Sequence, residues 1–488
     1  MTGVTRTVVV VGAGCAGTLT AVDLLRRPGG PLRVVLVERR GSFGPGVAYS
    51  TPDARHLLNV AAERMSAFPG DPGHFAAWAA DRLGPLPAGA YLPRGLYGDY
   101  LRALLDDAER SAAPGRCLER VVGEAVDVVP GRGAALGGSR GASRPMAGGA
   151  VDGGAAGGAG AGGAVDGATV VLADGRAIAA DAVVLALGGL PAAAPVALPD
   201  DPRVVGDPWA PGALAGAPPA ATTLLIGSGL TAVDVAVACC GDDGRGRVVA
   251  ISRGGCLPHE QLPGLRRPVP SADPPPAPAT VERLERWLGV HVARARRAGA
   301  DWRDALDGVR PHAQTLWRSL PDGERRRFVR ERARAWEVRR HRMAPEVGGR
   351  VRELVGAGRL LVRAGRALAV RALPRTVELL VDDCGEMRTL RADRVVVCAG
   401  AGTDVARAGV PLVDALLRRG LASPDPLGLG LRASPEGALV GADGAVRPRL
   451  HLLGPLRRGE LWETTAVGEI RVQAQVVSAA AERGIDSD

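Results

Sequence analysis

The sequence contains no lysine and a single asparagine, Asn59. All 61 basic residues are therefore arginine, and their excess over 52 acidic residues gives a formal net charge of +9. Such a uniform choice of basic residue is typical of a bias in genome base composition. The net charge therefore says little about partners, and we expect no nucleic acid among them.

Long apolar runs are also missing. No stretch approaches the roughly 20 apolar residues that a membrane-spanning helix needs. The apolar run at residues 8–11 is too short for a secretory signal and leads directly into a glycine-rich turn, as a core strand does. We expect no membrane partner and a cytoplasmic location.

The seven cysteines have neither CxxC nor CxxxxC spacing. Redox enzymes that work through a dithiol need two thiols that can exchange with each other, so this class of enzyme is disfavoured. No cysteine and histidine cluster has the spacing of metal ligands, and we expect no metal site.

Two glycine-rich turns are the strongest positive signal. The first, GAGCAG at residues 12–17, follows the apolar run 8–11 and opens a predicted helix over 15–27. A second apolar run at 32–37 ends at Glu38. Strand, turn, helix, strand and acidic residue together are typical of a dinucleotide-binding βαβ unit.

Each glycine of the first turn has a distinct predicted role. Gly12 permits the tight turn, Gly14 lets the backbone approach a pyrophosphate, and Gly17 allows close packing of the helix. Glu38, at the end of the second strand, can accept hydrogen bonds from a ribose diol. These residues predict a cofactor site.

The second turn is GSGLTA at residues 227–232, between apolar runs at 224–226 and 248–251. Gly227 and Gly229 match the first two glycines, and alanine replaces the third, which this type of unit tolerates. Thr231 lies in the same turn. The pattern predicts a second dinucleotide site.

The two units differ in the charge at the end of the second strand. Arg253 follows Gly227 by 26 positions, as Glu38 follows Gly12. A guanidinium there can pair with a 2′-phosphate, and the hydroxyl of Ser252 beside it could bind the same group. These residues favour NADPH, although Arg253 could equally be an ordinary surface arginine.

A second repeat defines the domain order. Residues 180–189 and 392–401 share one pattern, an apolar strand ending in glycine, and each follows predicted antiparallel strands. They predict the closing strands of two dinucleotide-binding domains. The expected fold class is α/β, with two Rossmann-like domains, β-meanders and a helical insertion.

The first domain is thus predicted to be interrupted by the second. We expect residues 1–200 to begin the first domain and 201–355 to form the inserted NAD(P)H domain with a helical segment. Residues 356–488 would supply the closing meander of the inserted domain and the C-terminal part of the first.

One tract departs from this plan. Between a predicted strand near residues 121–129 and the strand at 169, 25 of the 37 residues in 131–167 are Gly or Ala. So few side chains could bury little apolar surface. We expect a disordered insertion within a hairpin that can be deleted without loss of the cofactor.

Several segments together resemble the FAD/NAD(P)-binding proteins related to class B flavin monooxygenases, and more distantly the amine N-hydroxylases. The segments that carry this resemblance are residues 44–49, 56–60, 65–66, 74–78, 92–101, 301–303, 341–345, 454–456, 462–463 and 469–471. The resemblance implies FAD in the first domain, NADPH in the second, molecular oxygen as co-substrate and a C4a-peroxyflavin.

The resemblance also implies site residues in the N-terminal half. His56 and Asn59 are candidate catalytic residues because their apolar segment would lie along the flavin, and Asn59 is also a candidate FAD ligand. Asn59 could instead be a turn or N-cap residue, and His56 a packed histidine. Met65, Ser66 and Arg94, which lie in matching segments, are candidate FAD-binding residues.

The C-terminal segment supplies further candidates. The sequence predicts a strand at 450–453 and a helix that has Thr464 or Thr465 as its N-cap and runs to about residue 481. The N-terminus of that helix would face the flavin pyrimidine, with Gly454 and Thr465 at the cofactor. Trp462 could wall the substrate pocket or simply pack in the interior.

The leading hypothesis is an NADPH-consuming FAD monooxygenase that acts on a small-molecule metabolite, with N-hydroxylation of an amino acid such as aspartate as a candidate reaction. One alternative is a dehydrogenase or reductase without oxygen insertion. Another is a non-catalytic flavoprotein that binds a partner through the arginine-rich stretch 325–342. Residues 258–345 would either cap the active site or complete the inserted domain.

Overall fold

A computed structural model describes residues 5–131, 167–215, 218, 220–241, 245–275 and 277–486. The strands are β1 (Arg6–Val11), β2 (Leu32–Glu38), β3 (Arg116–Val122), β4 (Ala125–Pro130), β5 (Ala168–Leu172), β6 (Ala177–Ala180), β7 (Ala182–Leu185), β8 (Val204–Val205), β9 (Thr222–Ile226), β10 (Arg247–Ser252), β11 (Leu360–Ala364), β12 (Arg366–Ala372), β13 (Val377–Asp383), β14 (Glu386–Ala392), β15 (Arg394–Val397), β16 (Ala438–Val440) and β17 (Val446–Leu452). The helices are α1 (Cys15–Arg26), α2 (His74–Leu83), α3 (Arg94–Arg110), α4 (Leu230–Cys240), α5 (Val281–Arg297), α6 (Trp302–Val309), α7 (Ala313–Ser319), α8 (Asp322–Glu331), α9 (Ala333–Arg340), α10 (Pro345–Gly356), α11 (Pro411–Arg418), α12 (Arg458–Leu461) and α13 (Val467–Asp486).

The first sheet has six strands in the order β16-β17-β7-β1-β2-β3, parallel except for the β16–β17 pair. Val8 and Val10 of β1 face a core built with α1, α2, α3 and α13, whereas Val9 and Val11 face the β4–β6 strands and α11. Because both faces are covered, this strand is apolar at each of the positions 8–11 rather than at alternate ones.

The second sheet has five parallel strands in the order β11-β10-β9-β15-β8. Helices α4 and α10 pack on one face, and the antiparallel sheet β12-β13-β14 packs on the other. All of its strands come from the chain between β7 and β16. The predicted fold class, with one Rossmann-like domain inserted into another, is therefore confirmed.

The closing strands lie beside the glycine turns, as the repeat predicted. Strand β7 pairs in parallel with β1, and β15 pairs in parallel with β9. The registers bring Leu185 beside Val11 and Val397 beside Ile226. Each glycine turn thus begins beside the C-terminal end of a closing strand.

The predicted strand near residues 121–129 is wrong in one respect, because it is two strands. β3 continues the parallel sheet beside β2, whereas β4 begins the antiparallel sheet β4-β5-β6. The two strands are separated by a bend at Gly123, where an added Cβ would lie 2.8 Å from the Leu172 side chain. Most of the Gly/Ala tract, residues 132–166, lies outside the described residues.

The chain passes between the two domains twice, at neighbouring points. Leu190 and Gly402 form an isolated antiparallel bridge, with the Gly402 amide donating to the Leu190 carbonyl at 3.0 Å. In the part of the chain that the structure describes, no helix is long and apolar enough to cross a membrane.

Candidate functional site

The first glycine turn has the geometry of a dinucleotide site. Gly12 has φ +97°, and a Cβ there would lie 2.4 Å from the Ala186 carbonyl oxygen beyond β7. Gly14 is the N-cap of α1, and Gly17 lies in its first turn. Gly14 provides no side-chain cap, and the first turn of α1 contains no acidic residue, so the amide groups of this helix end can bind an anion such as a pyrophosphate.

Glu38 lies over this turn. Its Oε2 accepts a hydrogen bond from the Ala13 amide at 3.0 Å, and its Oε1 accepts one from the Arg40 amide at 3.0 Å. The carboxylate is therefore held at the end of β2, beside the helix N-terminus. This arrangement fits a ribose and pyrophosphate bound at one place, as FAD requires.

The second turn repeats this geometry. Gly227 has φ +123°, and a Cβ there would lie 2.3 Å from the Cys398 carbonyl oxygen beyond β15. Gly229 is the N-cap of α4, which also has no side-chain cap, and Thr231 is half-buried in its first turn. A second anion can therefore bind at this helix end.

The residues after β10 distinguish the second turn from the first. The hydroxyls of Ser252 and Ser228 lie 2.7 Å apart, which joins the end of β10 to the glycine turn. Arg253 is exposed, and its guanidinium has no partner among the described residues. An exposed, unpaired arginine beside two hydroxyls suits an additional phosphate.

Arg334 of α9 reaches the same turn and was missed by the sequence analysis. Its Nη2 lies 3.2 Å from Ser228 Oγ, 3.4 Å from the Ser228 carbonyl and 3.1 Å from the Cys256 carbonyl. The residue belongs to the arginine-rich stretch 325–342, for which the sequence suggested only a partner-binding role. Only the folding of α9 over the turn reveals its position.

The C-terminal segment meets the first turn at Gly454, where an added Cβ would lie 3.9 Å from Ala16 of α1. The Gly454 amide donates to Gln473 Oε1 at 2.9 Å, and Thr464 Oγ1 donates to the Gly454 carbonyl at 2.8 Å. Gln473 Nε2 in turn donates to Thr464 at 2.7 Å. This buried network fixes the segment that would contact a flavin.

The predicted helix boundaries in this segment are wrong. Helix α13 begins at Val467 and ends at Asp486, rather than running from Thr464 or Thr465 to about residue 481. Thr464 binds the Gly454 carbonyl instead of capping the helix, and Thr465 is exposed just before it. A cofactor role for Thr465 stays a prediction.

Asn59 is available to a ligand. It is half-buried in a segment that pairs with residues 90–94, and its amide makes no hydrogen bond within the described residues. Met65, by contrast, is buried in the core of the first domain. The Ser66 hydroxyl donates to the carbonyls of Phe68 and Asp71 and so organises a loop.

His56 and Arg94 join the two domains. His56 is buried, with Nε2 3.1 Å from the Asp234 carbonyl of α4 and Nδ1 2.8 Å from Thr51 Oγ1. Arg94 Nη1 lies 2.7 Å from Asp234 Oδ2. Burial raises the pKa of Asp234, although the charge of Arg94 opposes that effect. Both residues thus have interface partners, and their predicted flavin roles stay predictions.

Trp462 lies at a second interface. It has φ +59°, a rare and strained conformation for a bulky residue, and it stacks on Trp317 of α7 with ring centroids 4.9 Å apart. Trp317 Nε1 also donates to the Gly459 carbonyl at 2.8 Å. The helices of the predicted segment 258–345 therefore pack against the C-terminal segment of the first domain.

Ion pairs reinforce this packing. Arg340 forms a bidentate pair with Glu463, both N–O distances being 2.9 Å, and Arg310 pairs with Glu469 at 2.6 and 2.7 Å. Other cations of the stretch 325–342 pair within the protein, as Arg332 does with Glu285. Several arginines of this stretch thus form ion pairs with acidic residues of the same chain.

Comparisons with known proteins agree with this geometry. Residues 9–146 match the model of a family described as FAD-NAD(P)-binding. A comparison with curated protein sequences finds no match.

Several solved structures share the fold over nearly the whole chain. The ornithine N-hydroxylase of Kutzneria sp. 744 is 17% identical, with a TM-score of 0.57 and coverage of 98% of this chain and 99% of its own. The ornithine hydroxylase of Pseudomonas aeruginosa is 16% identical, with a TM-score of 0.58 and coverage of 99% and 100%. The cadaverine monooxygenase of Erwinia amylovora is 12% identical, with a TM-score of 0.56 and coverage of 100% and 95%.

These identities establish similarity of fold, and the family match identifies the N-terminal region. The resemblance and the cofactor class inferred from the first glycine turn are confirmed for that region. Residues 9–146 thus match a family described as FAD-NAD(P)-binding, within a chain whose fold is similar to that of these ornithine and cadaverine hydroxylating enzymes.

Proposed function

We propose that this protein is an FAD-dependent, NADPH-consuming monooxygenase that N-hydroxylates an amine. The observation that carries the proposal is a pair of helix N-termini without side-chain caps. Each of the two helices follows a glycine turn, and the two turns come after strands of different sheets. One N-terminus lies beside the carboxylate of Glu38, and the other lies at the end of β10, which the exposed Arg253 directly follows. This difference supports two different dinucleotides in one chain.

The reaction would transfer one oxygen atom of O₂ to the amine nitrogen and release the other as water, with two electrons from NADPH. FAD, when bound, supplies the oxygen chemistry. The α1 N-terminus and Glu38 would hold its pyrophosphate and ribose. Arg253, Ser252 and Arg334 would hold NADPH, and Asn59, Gly454 and Thr465 would contact the flavin.

The similar structures guide the choice of substrate class. They include hydroxylases of ornithine and a monooxygenase of cadaverine, and a lysine 6-monooxygenase of Pseudomonas syringae shares the fold with a TM-score of 0.58 at 15% identity. All three compounds carry a primary amine. Aspartate has no counterpart among these substrates, so the proposal is an amine in general and not aspartate.

The test follows oxygen into the product. The FAD-loaded protein is incubated with NADPH, ¹⁸O₂ and each of a panel of amines, and NADPH loss, peroxide and product mass are measured. We expect one amine to accelerate NADPH loss and to gain one ¹⁸O atom. Flavin-free protein is the control.

Two results would contradict the proposal. NADPH oxidation by other electron acceptors, with peroxide but no labelled product for any amine, would indicate a dehydrogenase or reductase. No NADPH oxidation with any acceptor, together with salt-sensitive RNA or DNA binding, would indicate a non-catalytic flavoprotein.

A further inference from the structure

A large cavity lies within the helical segment between the domains. It measures about 870 Å³, which is within the range of small-molecule pockets. Its walls come from α5, α6, α7, α8 and α9, and Trp462 of the first domain contributes one side. No residue predicted to hold either dinucleotide lines the cavity, whereas the substrate-pocket candidate Trp462 does.

The cavity concentrates the aromatic residues of a chain that has few. Aromatic residues make up 3% of the sequence, yet five of its seven tryptophans line this one space. They are Trp287, Trp302, Trp317, Trp336 and Trp462. Flat aromatic walls favour stacking on a planar apolar molecule.

The tryptophan N–H groups around the cavity differ in their hydrogen bonding. The indole N–H groups of Trp287 and Trp317 donate to backbone carbonyls at 3.1 and 2.8 Å. Trp336 Nε1 is buried and has no hydrogen-bond partner among the described residues. The rings of these three tryptophans, rather than their N–H groups, are therefore what a ligand in the cavity would contact.

The charges of the cavity wall are mainly positive. Arg332 is paired with Glu285 at 2.7 Å, so these two charges balance. Arg296 and Arg339 also line the cavity, and neither has an acidic partner in the described part of the chain. An occupant with one anionic group would be complementary to them.

The cavity adjoins the expected flavin position through Trp462. Two residues after this tryptophan, Thr464 donates to the carbonyl of Gly454, which lies beside the first turn of α1. Two residues of chain span no more than about 7 Å. A molecule in the cavity can therefore direct one end toward the C-terminal segment that we expect to contact the flavin.

We propose that this cavity binds an aromatic carboxylic acid of amino-acid size or larger, with its ring among the tryptophans and its carboxylate toward Arg296 and Arg339. Binding of this acid does not depend on the proposed function; only its conversion as a substrate does. If the occupant is the substrate, it also carries the amine, and the substrate class is an aromatic amino acid or a derivative of one.

Binding is tested separately from turnover. L-tryptophan, indole-3-propionate and L-ornithine are titrated into the FAD-loaded protein by calorimetry. We expect both indole acids to bind at least tenfold more tightly than ornithine. Indole-3-propionate lacks an amine, so its binding tests the cavity even if no amine is hydroxylated and the proposed function fails.

A cavity-filling variant locates the site. Gly289 of α5 lines the cavity and has no atom within 4 Å of an added Cβ, so Gly289→Phe places a ring in the space and also removes a helix-weakening glycine. Gly356→Phe in α10 is the matched control, because that glycine is equally open but lies outside the cavity. Retained FAD and melting temperature verify folding.

We expect Gly289→Phe to weaken indole-acid binding at least tenfold and Gly356→Phe to leave it unchanged. Arg339→Gln should weaken binding of indole-3-propionate about tenfold and should leave binding of uncharged indole unaltered. The proposal is overturned if the wild-type protein binds neither indole acid more tightly than ornithine, or if both phenylalanine variants bind equally well.

Discussion

Arg253 tests the assignment of NADPH to the second turn. Its guanidinium is exposed and unpaired in the described structure, next to the hydroxyl of Ser252. A charge-assisted contact to phosphate contributes about 1.5–3 kcal/mol. We expect Arg253→Ala to raise the KM for NADPH about tenfold or more and to change the KM for NADH little, measured by steady-state NAD(P)H oxidation.

Arg247→Ala provides the control for that measurement. Arg247 is an exposed arginine at the opposite end of the same strand, so its loss removes the same charge far from the glycine turn. Its effect on the two cofactors should be small and equal. An equal rise in both KM values for Arg253→Ala would refute the 2′-phosphate assignment.

His451 of β17 gives a prediction for pH. Burial lowers the pKa of His451 to about 4, from an ordinary value of 6.5. Its contribution to stability is therefore fully present above about pH 6.5 and is lost as the pH falls toward 4, because only the unfolded chain takes up the proton in that range. A shift of this size corresponds to about 3 kcal/mol at most.

His451→Phe keeps an aromatic side chain in this place and removes the titration. We expect the melting temperature of the wild-type protein to fall more steeply than that of the variant between pH 7 and pH 5, measured by differential scanning calorimetry. Parallel pH profiles would show that His451 does not contribute to acid sensitivity. Burial also lowers the pKa of His341 to about 4. This histidine should therefore contribute to the fall of the melting temperature with pH in both proteins.

The glycine turns were predictable because all of their signals lie within one βαβ unit. Spacing alone placed Gly12, Gly14 and Glu38 together, and the structure keeps them together. Arg334 and Asp234 gave no such signal, because their positions depend on how one element docks on a distant one. Local periodicity carries no information about that docking.

At the scale of elements, the geometry of the β4–β5 hairpin supports the prediction that the long Gly/Ala tract is dispensable. Pro130 pairs with Ala168, and the Gly131 amide donates to the Gly167 carbonyl at 2.6 Å, so the tract begins and ends at adjacent points. We expect replacement of residues 132–166 by a two-residue Asn-Gly turn to retain FAD. Because a shorter loop costs less closure entropy, the free energy of unfolding should rise by up to about 2 kcal/mol.

Flavin absorbance of the purified protein and urea unfolding check this expectation. A control that replaces the tract with a Gly/Ser linker of equal length should match the wild-type protein in both measurements. Loss of FAD from the shortened protein alone would show that the length of the tract is needed at the cofactor. Loss from both would show that its sequence is needed.

At the scale of the whole molecule, the Arg94–Asp234 pair links the two domains. Asp234 is buried in α4 and Arg94 begins α3, so each charge depends on the other. Removing one partner of a buried pair costs about 3–5 kcal/mol. We expect Arg94→Met and Asp234→Leu each to be strongly destabilising, and the double variant to be less so than the two costs combined.

Urea unfolding of the FAD-loaded proteins measures this double-mutant cycle. The same variants test the predicted cofactor role of Arg94. If Arg94 also binds FAD, then Arg94→Met should lose the flavin while Asp234→Leu retains it. Additive costs would mean that the two charges do not interact.

The paired crossing at Leu190 and Gly402 has a consequence for the modularity of the protein. Since the chain enters and leaves the inserted domain at hydrogen-bonded neighbours, the whole insert can in principle be cut out and the ends joined with almost no gap. The six-stranded sheet would keep every one of its strands in such a protein. The interrupted domain thus has the layout of a host that accommodates a complete second domain at a single position of its chain.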